Sequence, residues 1–87
     1  MGLIDDKISY IEGINKARYK IAELKAQKIQ ARSDAWEEAS GIADQKKDYV
    51  RSVVAGIDKE ISENEADIEW YYNMMSVADL MLEFSDE

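Results

Sequence analysis

The sequence predicts an all-α protein in which two long antiparallel helices form a helical hairpin, and we expect that hairpin to complete a four-helix bundle with a partner chain. The 87 residues contain no Pro and four Gly, and 34% of them are charged, a composition typical of long surface helices. Apolar residues recur with a helical period on both sides of one clear interruption, Ser40-Gly41. A chain this short forms at most one domain with a modest core.

The first helix is predicted over about residues 3–39. At about 100° per residue, this segment has one apolar side and one polar side. The apolar side consists of Ile4, Ile8, Ile11, Ile14, Ala17, Ile21, Leu24, Ile29 and Trp36. Arg18, Lys25 and Arg32 repeat every seven residues beside it, where their stems can lie along the contact between the helices while the charged groups reach outward.

The hairpin turn is predicted at residues 40–41, shortly after Trp36. Gly41 is suited to ending a helix, and the hydroxyl of Ser40 can cap the helix that follows. In a symmetric hairpin with this turn, position i lies near position 81 minus i, which brings the basic part of the first helix beside the acidic part of the second.

The second helix is predicted over about residues 42–84. Its main apolar stripe runs from Ile42 to Leu82, and Asn64 interrupts it as a polar residue that can fix the register. Ser62-x-x-Glu65 has the form of a capping box, so a three-helix variant with a break near Ser62 stays open.

A second apolar stripe on this helix predicts a binding surface. One neighbouring helix cannot cover both stripes, and aromatic residues and Met are enriched at the centres of interfaces. The predicted partner-binding residues are Trp70, Tyr71, Met74, Met75, Val77, Met81 and Phe84. They are expected to meet a second copy in a homodimeric four-helix bundle or a different helical protein, or to be covered by a third helix that folds back.

The charge distribution is uneven. The formal net charge is −8, and from Ile57 onward the only basic residue is Lys59. An acidic surface of this kind repels phosphate backbones, so nucleic-acid binding is not expected.

No reaction chemistry is apparent. The chain has no His and no Cys, and it lacks a nucleophile elbow and a Gly-rich phosphate loop. Asp58 to Glu69 matches part of a calcium-loop pattern, but Glu63 occupies the position that requires Gly. We therefore predict no enzyme, cofactor or metal. No apolar stretch approaches the ~20 residues that cross a bilayer, so no membrane insertion is expected. A cytoplasmic location is predicted, with export without a cleaved signal peptide left open.

The layout resembles the small helical-hairpin proteins of bacterial type VII secretion, namely the Trp-x-Gly family and the short helical partners of LXG-domain toxins. Trp36 precedes Ser40-Gly41, and Tyr49 and heptad-spaced apolar residues follow, whereas residues 36–38 read Trp-Glu-Glu in place of Trp-x-Gly. The resemblance implies a targeting partner that pairs with a helical toxin domain or a sister hairpin.

Two other functions are consistent with the residues. A small acidic inhibitor of phage type could place its carboxylates in the basic groove of a nucleic-acid enzyme. The second of these functions is a homodimeric coiled-coil scaffold. Binding through carboxylates should weaken steeply with salt, whereas binding through an apolar surface should persist.

Overall fold

A computed structural model describes residues 2–85 as two antiparallel helices. Helix α1 spans Leu3–Glu38 and helix α2 spans Ala43–Ser85. Together they form a rod of 69 × 17 × 12 Å. The prediction of an all-α helical hairpin is confirmed. Helix α2 is continuous through Ser62 and on to Ser85, so neither the three-helix variant nor a third helix that folds back is present in the described residues.

Both helices begin with the same local contact. The backbone N–H of Gly2 donates to the Asp5 carboxylate at 3.4 Å, and the backbone N–H of Ile42 donates to the Gln45 carboxamide oxygen at 3.3 Å. In each case a side chain in the first turn satisfies the N–H of the residue just before the helix, which is one half of a capping box. Gln45 therefore serves the start of α2, and the expectation that the Ser40 hydroxyl caps it is wrong.

The turn depends on Gly41. Its φ is +103°, in the region that residues with a Cβ rarely adopt. A Cβ on Gly41 would also collide with the Gln45 carboxamide. Gly41 thus allows both the reversal of the chain and the approach of the side chain that completes the start of α2.

The contact between the helices follows a heptad repeat. Along each helix, buried and half-buried positions alternate at intervals of three and four residues, and this 3.5-residue period is the one that keeps two supercoiled helices in contact. We call these positions the seam. On α1 they are Leu3, Lys7, Tyr10, Ile14, Ala17, Ile21, Leu24, Lys28, Ala31 and Ala35. On α2 they are Val50, Val54, Ile57, Ile61, Asn64, Ile68, Tyr71, Met75, Ala78 and Leu82.

Several residues predicted for the core side of α1 lie outside the seam. Ile4, Ile8, Ile11, Ile29 and Trp36 are between 42% and 71% exposed. The prediction used a period of 3.6 residues, which drifts from the 3.5-residue repeat by roughly 20° per heptad. The prediction therefore agrees with the structure from Ile14 to Leu24 and departs from it toward both ends of the helix.

Two ion pairs define the register. The Lys7 ammonium lies 2.5 Å from the Asp79 carboxylate, and Lys28 lies 2.5 Å from Asp58. The residue numbers of each pair sum to 86, against the 81 expected for a symmetric turn, so the helices are offset by roughly one turn from the expectation. The offset does not come from the bounds of the helices, because the residue numbers of their facing ends, Glu38 and Ala43, still sum to 81. The first turn of α2 extends past the end of α1, and the four-residue connection between them begins with an extended Ala39 (φ −69°, ψ 144°).

Candidate protein-interaction surfaces

Exposed large apolar side chains concentrate at the two ends of the rod. Five of them lie around the turn, at the turn end: Ile29, Trp36, Ile42, Tyr49 and Val53. Nine lie at the opposite end, which we call the open end and define as residues 3–13 and 70–85: Ile4, Ile8, Ile11, Trp70, Tyr72, Val77, Leu80, Met81 and Phe84. In the middle of the rod, residues 14–28 and 54–69, only Tyr19 is of this kind. The open end is therefore the first candidate for a binding surface.

The structure divides the seven predicted partner-binding residues into two groups. Trp70, Val77, Met81 and Phe84 are exposed by 54%, 46%, 52% and 75%. Met74 is half-buried beside them, while Tyr71 and Met75 are half-buried positions of the seam. The exposed group and Met74 follow one flank of α2, and Tyr71 and Met75 contribute to the contact with α1.

An aromatic cluster joins the two groups. The Tyr71 ring lies 5.2 Å from the Trp70 ring and 6.2 Å from the Tyr10 ring, and Trp70 meets Tyr10 edge to face at 6.0 Å. Gly13 makes room for this cluster, because a Cβ there would lie 2.5 Å from the Cζ atom of Tyr71. Trp70 is thus half-exposed but held in position, which suits a residue that anchors a partner.

The exposed flank of α2 continues along the whole helix. It consists of two sets of residues that lie side by side around the helix, each set repeating every seven residues. All of these residues except the half-buried Met74 are exposed. We call this row the α2 outer stripe: Tyr49, Val53, Gly56, Glu60, Glu63, Asp67, Trp70, Met74, Val77, Met81 and Phe84. It is apolar at both ends and acidic in the middle.

Helix α1 carries a matching row of exposed residues, several of which were predicted to lie on its core side. We call it the α1 outer stripe: Ile4, Ile8, Ile11, Asn15, Arg18, Ala22, Lys25, Ile29, Arg32 and Trp36, all exposed. It is apolar at the open end and basic in the middle, and its turn end carries Arg32 between Ile29 and Trp36. The signal that could have revealed it is the strict alternation of three- and four-residue steps, which extends the seam from Ile14 back through Tyr10, Lys7 and Leu3.

The two outer stripes lie on opposite broad faces of the hairpin. On the first face, Arg18 of α1 donates a hydrogen bond to the Tyr72 hydroxyl and lies 5.8 Å from the centre of the Tyr72 ring. A shallow groove on this face is lined by Ile29, Arg32 and Trp36. On the second face, a groove beside Gly13 and Lys20 is lined by Asp67 of the α2 outer stripe.

Charges in the middle of the rod are only partly paired. Lys28 and Asp58 form an ion pair across the seam. Within residues 2–85, no ion pair is formed by Arg18 or Lys25, nor by Glu60, Glu63 or Asp67. Both outer stripes therefore present charges that are available to a partner.

Asn64 occupies the seam and is half-buried, as its place in the apolar stripe implied. Its side-chain amide donates to the Glu60 carbonyl oxygen at 2.8 Å, one turn earlier in the same helix. The amide group is therefore satisfied within α2, and a role for Asn64 in setting the register stays a prediction.

The predicted turn residues lie together at the turn end. Ser40 and Gly41 fall in the connection between α1 and α2. The Trp36 ring, 42% exposed, lies 5.0 Å from the Lys46 ammonium in a cation–π contact, and the Tyr49 hydroxyl donates to the Glu38 carboxylate at 3.4 Å. These contacts link the end of α1 to the first turns of α2.

Neither a metal site nor a membrane-spanning helix is found in the described part of the chain. Residues 2–85 contain no group of three or more acidic, His or Cys side chains arranged to hold a metal ion. Over the same residues, neither helix has a stretch that is both apolar and long enough to span a bilayer. Comparisons of the chain with protein-family models, curated proteins and solved structures find no match.

Proposed function

We propose that this protein is a non-enzymatic module for helix-to-helix association and that its open end is the principal binding surface. The observation that carries the proposal is the exposure of Trp70, Val77, Met81 and Phe84 on one flank of a well-formed helix. Full burial of such side chains stabilises a contact by roughly 1.5–3 kcal/mol each. Large contiguous apolar surfaces of this kind mark binding sites in monomeric folds.

The small core of the hairpin supports the same proposal. Seven apolar side chains are buried in the described residues, and four of them are Ala or Val. Two helices alone bury one stripe each, so a third and a fourth helix would cover the surface that remains and add to the stability of the fold. Completion of a four-helix bundle by a partner is the arrangement we propose.

The resemblance to type VII secretion hairpins supplies the proposed partner class. In that proposal the partner is a helical toxin domain or a sister hairpin, and the protein serves as its targeting partner. A paired antiparallel hairpin with Trp36 close to the turn supports this interpretation. An adjacent gene for a toxin with a long helical N-terminal domain would support it further.

The test uses a charge-neutral change at the open end. Met81→Ser with Phe84→Ser is compared with Tyr19→Ser, because Tyr19 is an 81% exposed aromatic residue in the middle of the rod. We expect the double variant to lose the proteins that co-purify with the parent from its native host, or to lose self-association in sedimentation velocity, while Tyr19→Ser behaves as the parent. A parent that sediments as a monomer and retains no protein would contradict the proposal.

The acidic middle of α2 favours a second candidate, the acidic inhibitor. Glu60, Glu63 and Asp67 are exposed and form no ion pair within residues 2–85. If they occupy the basic groove of an enzyme, binding should fall steeply between low and moderate salt. Binding that resists salt and depends on Met81 and Phe84 would support the association module instead.

A further inference from the structure

We propose that the partner of the outer stripes is a second copy of this chain, bound head to tail, with the α1 outer stripe of one copy packed antiparallel against the α2 outer stripe of the next. This inference rests on the proposed function and names its partner. It is carried by the agreement between the two stripes in pattern, charge and register. No other segment of the described chain covers either stripe.

The pattern of the two stripes is complementary from the open end through the charged middle. The α1 outer stripe is apolar at residues 4–11, basic from Arg18 to Lys25, and carries Ile29, Arg32 and Trp36 near the turn. The α2 outer stripe is apolar at residues 70–84, acidic at residues 60–67 and apolar again at residues 49–53. Antiparallel packing places the apolar residues 4–11 against the apolar residues 70–84 and the basic section against the acidic one, while the section from Ile29 to Trp36 meets residues 49–56.

The register of this contact is the one already found within the hairpin. The residue numbers of each interhelical ion pair sum to 86, and those of the Gly13–Tyr71 contact sum to 84. Facing residues of the two helices therefore have numbers that sum to about 85. At that sum, Ile8 of one copy meets Val77 of the next and Ile11 meets Met74. Arg18 then meets Asp67, and Lys25 meets Glu60. The same antiparallel helix pairing thus serves inside and between copies.

Charge opposes the symmetric alternatives. If two copies associated through their α1 outer stripes, Arg18 and Lys25 would face the same basic section of the partner. Association through two α2 outer stripes would bring Glu60, Glu63 and Asp67 together in chains that each carry a net charge of −8. Like charges placed face to face across an interface select against the wrong pairing.

The positions of the stripes determine the kind of assembly. Because they lie on opposite broad faces, a copy that docks on the α1 outer stripe leaves the α2 outer stripe of the first copy free. A contact between two different patches is heterologous, and it generates a ring or an open array according to whether the rotation closes. The expected assembly therefore grows with concentration beyond a dimer.

The first experiment exchanges the charges. Arg18→Glu with Lys25→Glu makes both stripes acidic, and Glu60→Lys with Asp67→Lys makes both stripes basic. We expect each double variant to associate about tenfold or more weakly than the parent in sedimentation velocity, and an equimolar mixture of the two to recover the association of the parent. Circular dichroism confirms that both variants remain helical. A mixture that stays monomeric overturns the proposal.

The second experiment identifies the contact. The chain has no Cys, so Ile8→Cys in one copy and Val77→Cys in another can report their proximity by disulfide formation, which requires Cα atoms within about 7 Å. We expect an 8–77 cross-link in the mixture. The control replaces Ile8→Cys by Ser9→Cys, an exposed position on the side of α1 away from the stripe, and should give none.

The outcomes separate this inference from the proposed function. An 8–8 cross-link formed by Ile8→Cys alone as readily as the 8–77 cross-link shows a symmetric dimer and overturns the head-to-tail contact. A parent chain that stays monomeric at sub-millimolar concentration also overturns it. Loss of a co-purified partner by Met81→Ser with Phe84→Ser, and retention by Tyr19→Ser, would still sustain the proposed function in that case.

Discussion

The middle of the rod and its open end share one seam but differ in what surrounds it. In the middle, Ile14, Leu24 and Ile61 are at most 8% exposed, and the flanks on both sides are charged or small. At the open end the seam continues through Tyr10, Met75 and Ala78, but the flanks carry Ile, Met, Val, Trp and Phe. Pairing of the two helices therefore buries the apolar residues of the middle, whereas the open end keeps large apolar side chains exposed.

The largest effect on the free energy of unfolding is expected when a seam residue is truncated, compared with an outer residue. Leu24 is 2% exposed and Phe84 is 75% exposed. We expect Leu24→Ala to lower the free energy of unfolding by about 2–5 kcal/mol, because it leaves a cavity between the helices. Phe84→Ala should change it by less than about 0.5 kcal/mol. Urea denaturation of dilute protein, followed by circular dichroism, measures both.

Dilution is essential to that comparison, because association would stabilise the parent by mass action. If Phe84→Ala destabilises the dilute monomer as much as Leu24→Ala does, the open end is part of the core and the contrast between the two regions is false.

A smaller effect is expected at the boundary of the two regions, where Gly13 contacts Tyr71. The substitution Gly13→Ala should destabilise the protein by about 1–3 kcal/mol, since the new methyl group displaces the Tyr71 ring from its contacts with Tyr10 and Trp70. Gly56→Ala is the matched control, because nothing lies within 4 Å of a Cβ at that position. It should stabilise the helix by roughly 0.5–1 kcal/mol.

Chemical denaturation of the two alanine variants under the same conditions gives the result. Two stabilising substitutions would mean that the Tyr71 ring does not rest on Gly13, and the aromatic cluster would then lose its structural basis.

The smallest effect is expected at the seam lysines, one in each region. Lys7 and Lys28 have side chains that are each 30% exposed and pair with aspartates that are about half-exposed. Partly exposed ion pairs contribute about 1 kcal/mol or less, and Met keeps the apolar stem of Lys within the seam. Lys7→Met and Lys28→Met should therefore each shift the free energy of unfolding by less than about 1 kcal/mol.

Thermal denaturation at low and high salt measures this shift for both lysine variants. A loss of several kcal/mol in either would show that charge, and not packing, holds that part of the hairpin together.

The sequence was most informative where one apolar stripe was present. From Ile14 to Leu24 of α1 and from Val54 to Ile68 of α2, a single row of apolar residues indicated the seam, and the helical hairpin followed from it. Near the start of α1, two rows lie one residue apart, Leu3-Lys7-Tyr10 and Ile4-Ile8-Ile11, and local hydrophobicity favours the wrong one. The choice between the two rows is decided by continuing the three- and four-residue steps of the seam from Ile14 toward the start of α1.

The register and the exact membership of the binding surface could not be predicted either. The helix bounds do not give the register, because Glu38 and Ala43 still sum to 81; the register depends on the path of the four-residue connection, which begins with the extended Ala39. Tyr71 was predicted as part of the binding surface, whereas the niche at Gly13, far away in sequence, holds the Tyr71 ring against α1.

The paired lysines and aspartates have a mechanical consequence. Lys7 and Lys28 are three heptads apart, as are Asp58 and Asp79, so both pairs close at one setting of the helices. If the helices slid by one heptad in one direction, Lys28 would meet Arg51 and Lys7 would meet Tyr72, whereas a slide in the other direction would bring Lys28 to Glu65. The two ion pairs therefore oppose axial displacement of one helix past the other in the first direction and not in the second.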